Sequence, residues 1–207
     1  PISVTTGTQT VASSTDFVVD QNAQQPRIDA IAPQVVTTGA AVTVTGGSLY
    51  PIAHQTTARI GTRAGVVGAV DDSQLTFAVP TLAASGKVSV STPYGMAVSA
   101  QDLVVLPGGI AAADIAGVRR VIPDAPADTD TVATPGQQFA LLVDAAVGEL
   151  LDVQLSAITG GNLAWSLYDP TNRRLLTGTA TTANPTILLP AAARAGTHLL
   201  LIKPAQT

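Results

Sequence analysis

Apolar and hydroxylated residues alternate along much of this chain. Val42 and Val44 are interleaved with Thr43 and Thr45, Leu75, Phe77 and Val79 with Thr76 and Ala78, and Val88 and Val90 with Ser89 and Ser91. A period of two sends successive side chains to opposite faces of a strand, so each run predicts one greasy and one wet face. That is the pattern of antiparallel sheets whose second face meets water. Gly39, Gly46-Gly47, Gly61, Gly65, Gly86 and Gly95, with Pro33, Pro51, Pro80 and Pro93, fall between the runs. Turns every eight to twelve residues or so predict a sandwich. No stretch here sustains an apolar stripe of helical period, which argues against an α/β fold.

The pattern also repeats. Residues 2–19 align without a gap on residues 88–105, at an offset of 86. Ser3, Val4, Thr6, Ser13, Asp16, Val18 and Val19 recur as Ser89, Val90, Thr92, Ser99, Asp102, Val104 and Val105. This period is too long for a helical solenoid and suits a small domain in tandem. Residues 1–20 are therefore expected to be the closing strands of a truncated domain, and 26–106 one whole unit. Without earlier strands of their own, residues 1–20 are expected to stay partly exposed or to pair with something else.

From 107 to 135 the composition shifts to Pro, Gly, Ala and Asp, which reads as a connector with room for a short helical turn around Ala111–Val118. Strand-like runs resume at Phe139–Val143, Leu150–Ser156, Leu163–Tyr168, Leu175–Thr179, Thr186–Leu189 and His198–Lys203, enough for a second sandwich over 136–207. Asp169-Pro170-Thr171-Asn172 and Ala195-Gly196 mark turns between them.

The residues of the first unit resemble a known family. PRIDAIAP at Pro26–Pro33, VTVTGGSL at Val42–Leu49, SQLTFAVP at Ser73–Pro80 and SGKVSVSTPYG at Ser85–Gly95 are similar to the IPT/TIG domain, an immunoglobulin-like sandwich found in tandem in bacterial surface and secreted proteins. Leu49 and Leu103 stand where that family usually has phenylalanine. In the second half, GELLDVQLSAITG at Gly148–Gly160, LAWSLYDPTNRRLL at Leu163–Leu176 and ILLPAAARAGTHLLLIKP at Ile187–Pro204 resemble the pre-peptidase C-terminal and Rhs-associated type of β-sandwich. Both resemblances imply accessory modules of exported proteins and an extracellular or cell-surface setting.

Composition narrows the chemistry. The chain has 207 residues, 46% hydrophobic and 12% charged, with no cysteine and a formal charge of −4. It is rich enough in apolar surface to fold, and disulfides and thiolate chemistry are excluded. An acidic balance opposes nucleic-acid binding, and no apolar run reaches the roughly 20 residues a membrane helix needs. Starting at Pro1 with neither methionine nor a basic leader, the chain reads as a piece of a longer protein. The two histidines, His54 and His198, are not paired at metal-ligand spacing, no GxSxG occurs, and Glu149 is the sole glutamate. An enzyme is not expected, nor a cofactor.

Candidate sites are few. Asp124, Asp128 and Asp130 offer hard oxygens in a proline-rich segment and form the one calcium candidate, against the alternative of a solvated acidic linker. Asp71-Asp72 reads as a turn. Trp165 shares strand parity with Leu163 and Leu167 and is expected in the core, whereas Tyr168 has the opposite parity and is expected to face outward. Tyr50 and Tyr94 fall at loop or hairpin tips, so Tyr50, Tyr94 and Tyr168 are the candidate partner-binding residues. The pairs Arg119-Arg120 and Arg173-Arg174 read as solvated charged turns. The expectation is an all-β protein of tandem immunoglobulin-like sandwiches plus a C-terminal sandwich. It would act as a structural or adhesive element whose partners are proteins or neighbouring domains of the same polypeptide. A carbohydrate-binding accessory module is the alternative.

Overall fold

The computed structural model describes residues 1–15, 24–122, 125–126, 129–132, 134–150, 152–155, 158 and 161–204. It is an all-β fold. The chain opens with a hairpin, β1 (Ser3–Thr6) and β2 (Gln9–Ala12), turning at Gly7 with φ of +60°. All of its residues are exposed.

The first sandwich follows in chain order: β3 (Arg27–Ala32), β4 (Val35–Thr37), β5 (Ala41–Gly47), β6 (Thr57–Ile60), β7 (Arg63–Ala64), β8 (Val66–Val70), β9 (Gln74–Ala78), β10 (Gly86–Thr92) and β11 (Gly95–Leu106). Four strands pair in the order β3-β5-β9-β8, and five in the order β4-β11-β10-β6-β7. The alternating valines behave as their period requires: Val42, Val44, Leu75, Phe77, Val79, Val88 and Val90 all lie in one buried cluster between the sheets. Full burial of such side chains contributes about 1.5–3 kcal/mol each. Gly46 is required by backbone proximity, because a Cβ there would fall 1.8 Å from the Arg27 carbonyl oxygen.

A single 3₁₀ turn (Ala112–Asp114) leads into β12 (Ile115–Val121), then β13 (Gln138–Ala145), β14 (Asp152–Gln154), β15 (Leu163–Tyr168), β16 (Arg174–Ala180), β17 (Thr186–Leu188) and β18 (Gly196–Pro204). Five of these form a sheet in the order β12-β13-β18-β15-β16, while β14 and β17 pair separately. The short helical turn expected around Ala111–Val118 is present as this 3₁₀ turn, but it is only three residues long, and the strand at 115–121 takes up the rest of that span, within the stretch read as a connector. This strand runs parallel to β13, so its hydrogen-bonding partner is a later strand that no tight turn joins to it and that local pattern does not reveal. Gly117 lets it close, since a Cβ there would stand 2.4 Å from the Phe139 ring.

Two inner strands of this five-stranded sheet, β13 and β18, are buried on both faces. Ala140–Val143 and His198–Ile202 are continuous buried runs. Leu141, Leu167, Leu200 and Ile202 face a cluster shared with Ile187 and Leu189. Ala140, Leu142, Tyr168, Leu199 and Leu201 face the other way, onto Val104 and Leu106 of β11.

Candidate functional site: the junction between the sandwiches

The end of β11 belongs to two cores at once. Leu103 and Val105 pack into the first sandwich, while Val104 and Leu106 pack onto the second, and all four are at most 1% exposed. Strand alternation produces this without distortion, because successive side chains of Leu103–Leu106 leave opposite faces of one strand. The segment is held from several directions. β4 pairs with it in parallel, Val35 opposite Val104, and the Val104 amide donates to the Gln34 carbonyl at 2.7 Å. The Val105 amide donates to Ser85 Oγ at 2.9 Å, and Asn172 Nδ2 of the second sandwich donates to the Val105 carbonyl at 3.0 Å.

An ion-pair network flanks this shared strand. Arg120 on β12 donates through Nε to Asp102 Oδ2 at 3.0 Å and through Nη2 to Asp102 Oδ1 at 2.7 Å, a two-point grip on β11. Its Nη1 also donates to Asp144 Oδ2 on β13. Lys87 Nζ stands 3.4 Å from Asp102 Oδ1, and Thr197 Oγ1 donates to Asp144 Oδ1 at 2.6 Å. Burial alone would raise the pKa of Asp102; hydrogen bonds and charge from Arg120, with Lys87, outweigh it and hold the carboxyl below its usual range. Asp144 is likewise held low: burial opposes ionisation, while Thr197, Arg120 and the nearby His198 favour it. Arg120 is held above its ordinary value, first by the hydrogen bond to Asp102.

Beside the network, a cleft of about 390 Å³ opens between the sandwiches, with Arg63 and Lys87 on one wall and Pro170, Arg194 and Thr197 on the other. Among the described residues, its lining carries three cations and neither a carboxylate nor an aromatic ring. Of these cations, Lys87 is already engaged by Asp102.

The residues singled out in the sequence do not converge here. Tyr168, expected to face outward, is 8% exposed and packs with Leu106, Leu142 and Leu199. Its parity is indeed opposite to that of Leu167, but the first sandwich covers that opposite face. Tyr50 is half-buried, its hydroxyl accepting from the His54 amide at 3.3 Å, and Tyr94 is half-buried at the β10–β11 turn. Trp165 packs against the second core and lies over Gly178, where a Cβ would stand 2.4 Å from the ring. His54 is exposed, while His198 is 5% exposed with Nδ1 3.1 Å from the Gly196 carbonyl. Asp71 Oδ1 caps its turn by accepting from the Ser73 and Gln74 amides, each at 2.8 Å.

Of the calcium candidates, Asp124 and Asp128 lie outside the described residues. Asp130 pairs with Arg119 at 2.5 Å, and among the described residues no group of three potential metal ligands assembles. The arginine pair at 119–120, read as a solvated turn, sits instead in β12, with both side chains engaged by aspartates. The sequence signal for this was the recurrence of Asp102 in the repeat, which marks a position but not its partner.

No protein-family model matches the chain, and no curated protein matches it. Among solved structures it is similar to an auxiliary nutrient binding protein from Bacteroides thetaiotaomicron, with 15% identity over 86% of this chain and 39% of that one, TM-score 0.38. It is also similar to a γ-CGTase from alkalophilic Bacillus clarkii, with 15% identity over 92% of this chain and 23% of that one, TM-score 0.38. A third is SGBP-B from a complex xyloglucan utilization locus in Bacteroides uniformis, with 12% identity over 90% of this chain and 73% of that one, TM-score 0.35. The chain thus spans about two fifths of the first of these proteins and about a quarter of the second.

Proposed function

We propose that this chain is a non-catalytic structural module of an exported multidomain bacterial protein, serving as a spacer or assembly element at the cell surface. The observation that carries this reading is the double burial of Leu103–Leu106, which makes one strand part of two cores. Two sandwiches joined by a loose linker would reorient freely, whereas these share apolar contacts, the hydrogen bond from the Asn172 side chain to the Val105 carbonyl and the Arg120 bridge. A joint of this kind transmits orientation and load along a polypeptide. The resemblance to IPT/TIG domains supports the exported setting, and the partners are neighbouring domains of the same polypeptide or a docked protein. The carbohydrate alternative rests on Tyr50 and Tyr94, both half-buried. Glycan-array binding lost on Tyr50→Ala or Tyr94→Ala would favour it over the structural reading.

Small-angle scattering from the 207-residue chain tests the rigid-spacer reading. One fixed arrangement of the two sandwiches should account for the profile, and a profile requiring a broad range of interdomain angles would overturn it.

A further inference from the structure

The opening hairpin and the β10–β11 hairpin agree beyond their residues. Ser3, Val4, Thr5 and Thr6 pair with Ala12, Val11, Thr10 and Gln9, and their counterparts 86 positions later pair identically: Ser89 with Val98, Val90 with Ala97, Ser91 with Met96, Thr92 with Gly95. The agreement extends to a side-chain staple. The Ile2 amide donates to Ser13 Oγ at 2.9 Å, and that hydroxyl donates to the Thr15 carbonyl at 2.7 Å. At the equivalent place the Val88 amide donates to Ser99 Oγ at 3.0 Å, and Ser99 Oγ donates to the Gln101 carbonyl at 2.7 Å.

What differs is the environment. In the later copy β6 lies along the outer edge of β10, with Ile60 opposite Val88 and Ala58 opposite Val90, and both valines are fully buried. In the opening copy β1 has β2 as its sole partner among the described residues. Ile2, Val4 and Val11 share one face of this hairpin and are 57%, 63% and 73% exposed. An edge with free amides and carbonyls beside a bare apolar face invites another strand.

We propose that the outer edge of β1 receives one antiparallel strand from the polypeptide ahead of it, in the register that β6 takes on β10. A large aliphatic residue would stand opposite Ile2 and a small one opposite Val4, closing a sandwich of the same kind as the first. The occupant follows from the internal copy, in which the pairing strand lies upstream on the same chain. This deepens the structural reading by naming the contact through which one module completes itself against another.

The test uses the absence of cysteine from the chain. Val4→Cys and Thr10→Cys are made singly in two proteins: the 207-residue chain, and the same chain with a copy of residues 26–86 joined directly ahead of Pro1. In the shorter protein both thiols should react freely with a maleimide. In the longer one the thiol at position 4 should slow by at least about tenfold, as a closed core demands. The thiol at position 10, equivalent to the 61%-exposed Met96, should remain reactive. Hydrogen exchange across Ser3–Thr5 in the unsubstituted longer protein should show matching protection. Equal reactivity of position 4 in both proteins, without protection of those amides, would overturn the proposal, as would protection of position 10 instead. Either failure leaves the scattering result on the sandwich junction standing, so the two readings fall separately.

Discussion

Arg120 grips Asp102 with two nitrogens across the seam between the sandwiches, at 3.0 and 2.7 Å, while its third nitrogen reaches Asp144. The Arg120 and Asp102 side chains are 23% and 12% exposed, so water only partly screens the pair. Replacing Arg120 by methionine keeps the aliphatic stem but leaves Asp102 to Lys87 alone. The expected loss is about 2–4 kcal/mol, read from the denaturant midpoint, because a half-buried carboxylate loses its best partner. Arg27→Met removes an exposed pair with Asp29 and should cost under about 1 kcal/mol.

Stability should fall with acid in a defined window. Asp102, Asp144 and Asp169 all have folded-state pKa values held below the ordinary carboxylate value. A depressed folded pKa stabilises the native state above the unfolded pKa, and that contribution fades as pH drops through the folded one. Little change is therefore expected between about pH 7 and pH 5, followed by a decline beginning near pH 4 and steepening below it. Asp102→Asn should be less stable at neutral pH yet show a shallower acid slope, measurable by urea titration at several pH values.

Leu106 tests the shared strand. It is 1% exposed and packs entirely into the second sandwich's cluster. Leu106→Ala should cost about 2–5 kcal/mol, the range for a buried leucine that leaves a cavity. Trp165 fluorescence and amide exchange at Val42 and Val88 should report one unfolding transition in the parent chain and diverge in this variant. Val4→Ala, on the exposed hairpin, should stay within about 0.5 kcal/mol of the parent.

Gly178 is the place where size alone decides. A Cβ would meet the Trp165 ring at 2.4, 2.7 and 2.9 Å. Gly178→Ala should displace the indole, cost about 1–3 kcal/mol through overpacking, and shift the emission of the chain's single tryptophan.

The two staple serines should respond unequally. Ser99 is 4% exposed and satisfies the Val88 amide inside the core, so Ser99→Ala should cost about 1–3 kcal/mol. Ser13 makes the same bonds in the open, where water substitutes, and Ser13→Ala should cost no more than about 0.5 kcal/mol by thermal melt.

Much of the first sandwich was legible because a strand's two faces are written in alternate residues. Val42, Val44, Leu75, Phe77, Val88 and Val90 entered the core as their period required. In the second half the runs at 163–168 and 198–203 became β15 and most of β18. The strand at 115–121 was hidden because its pairing is parallel and non-local, and Pro, Gly and Ala surround it.

By itself the sequence determined most strands of the first sandwich with their inner faces and turns, set by neighbours within a few residues, and the likeness of its two hairpins, set by the repeat at an offset of 86. Only the tertiary structure decided what covers an outer face. Tyr168 and Val104 are buried because one sandwich docks on the other, and Arg120 finds Asp102 across that same contact. A strand's period assigns its residues to opposite sides, but whether the second side meets water or another module depends on surfaces far away in the chain.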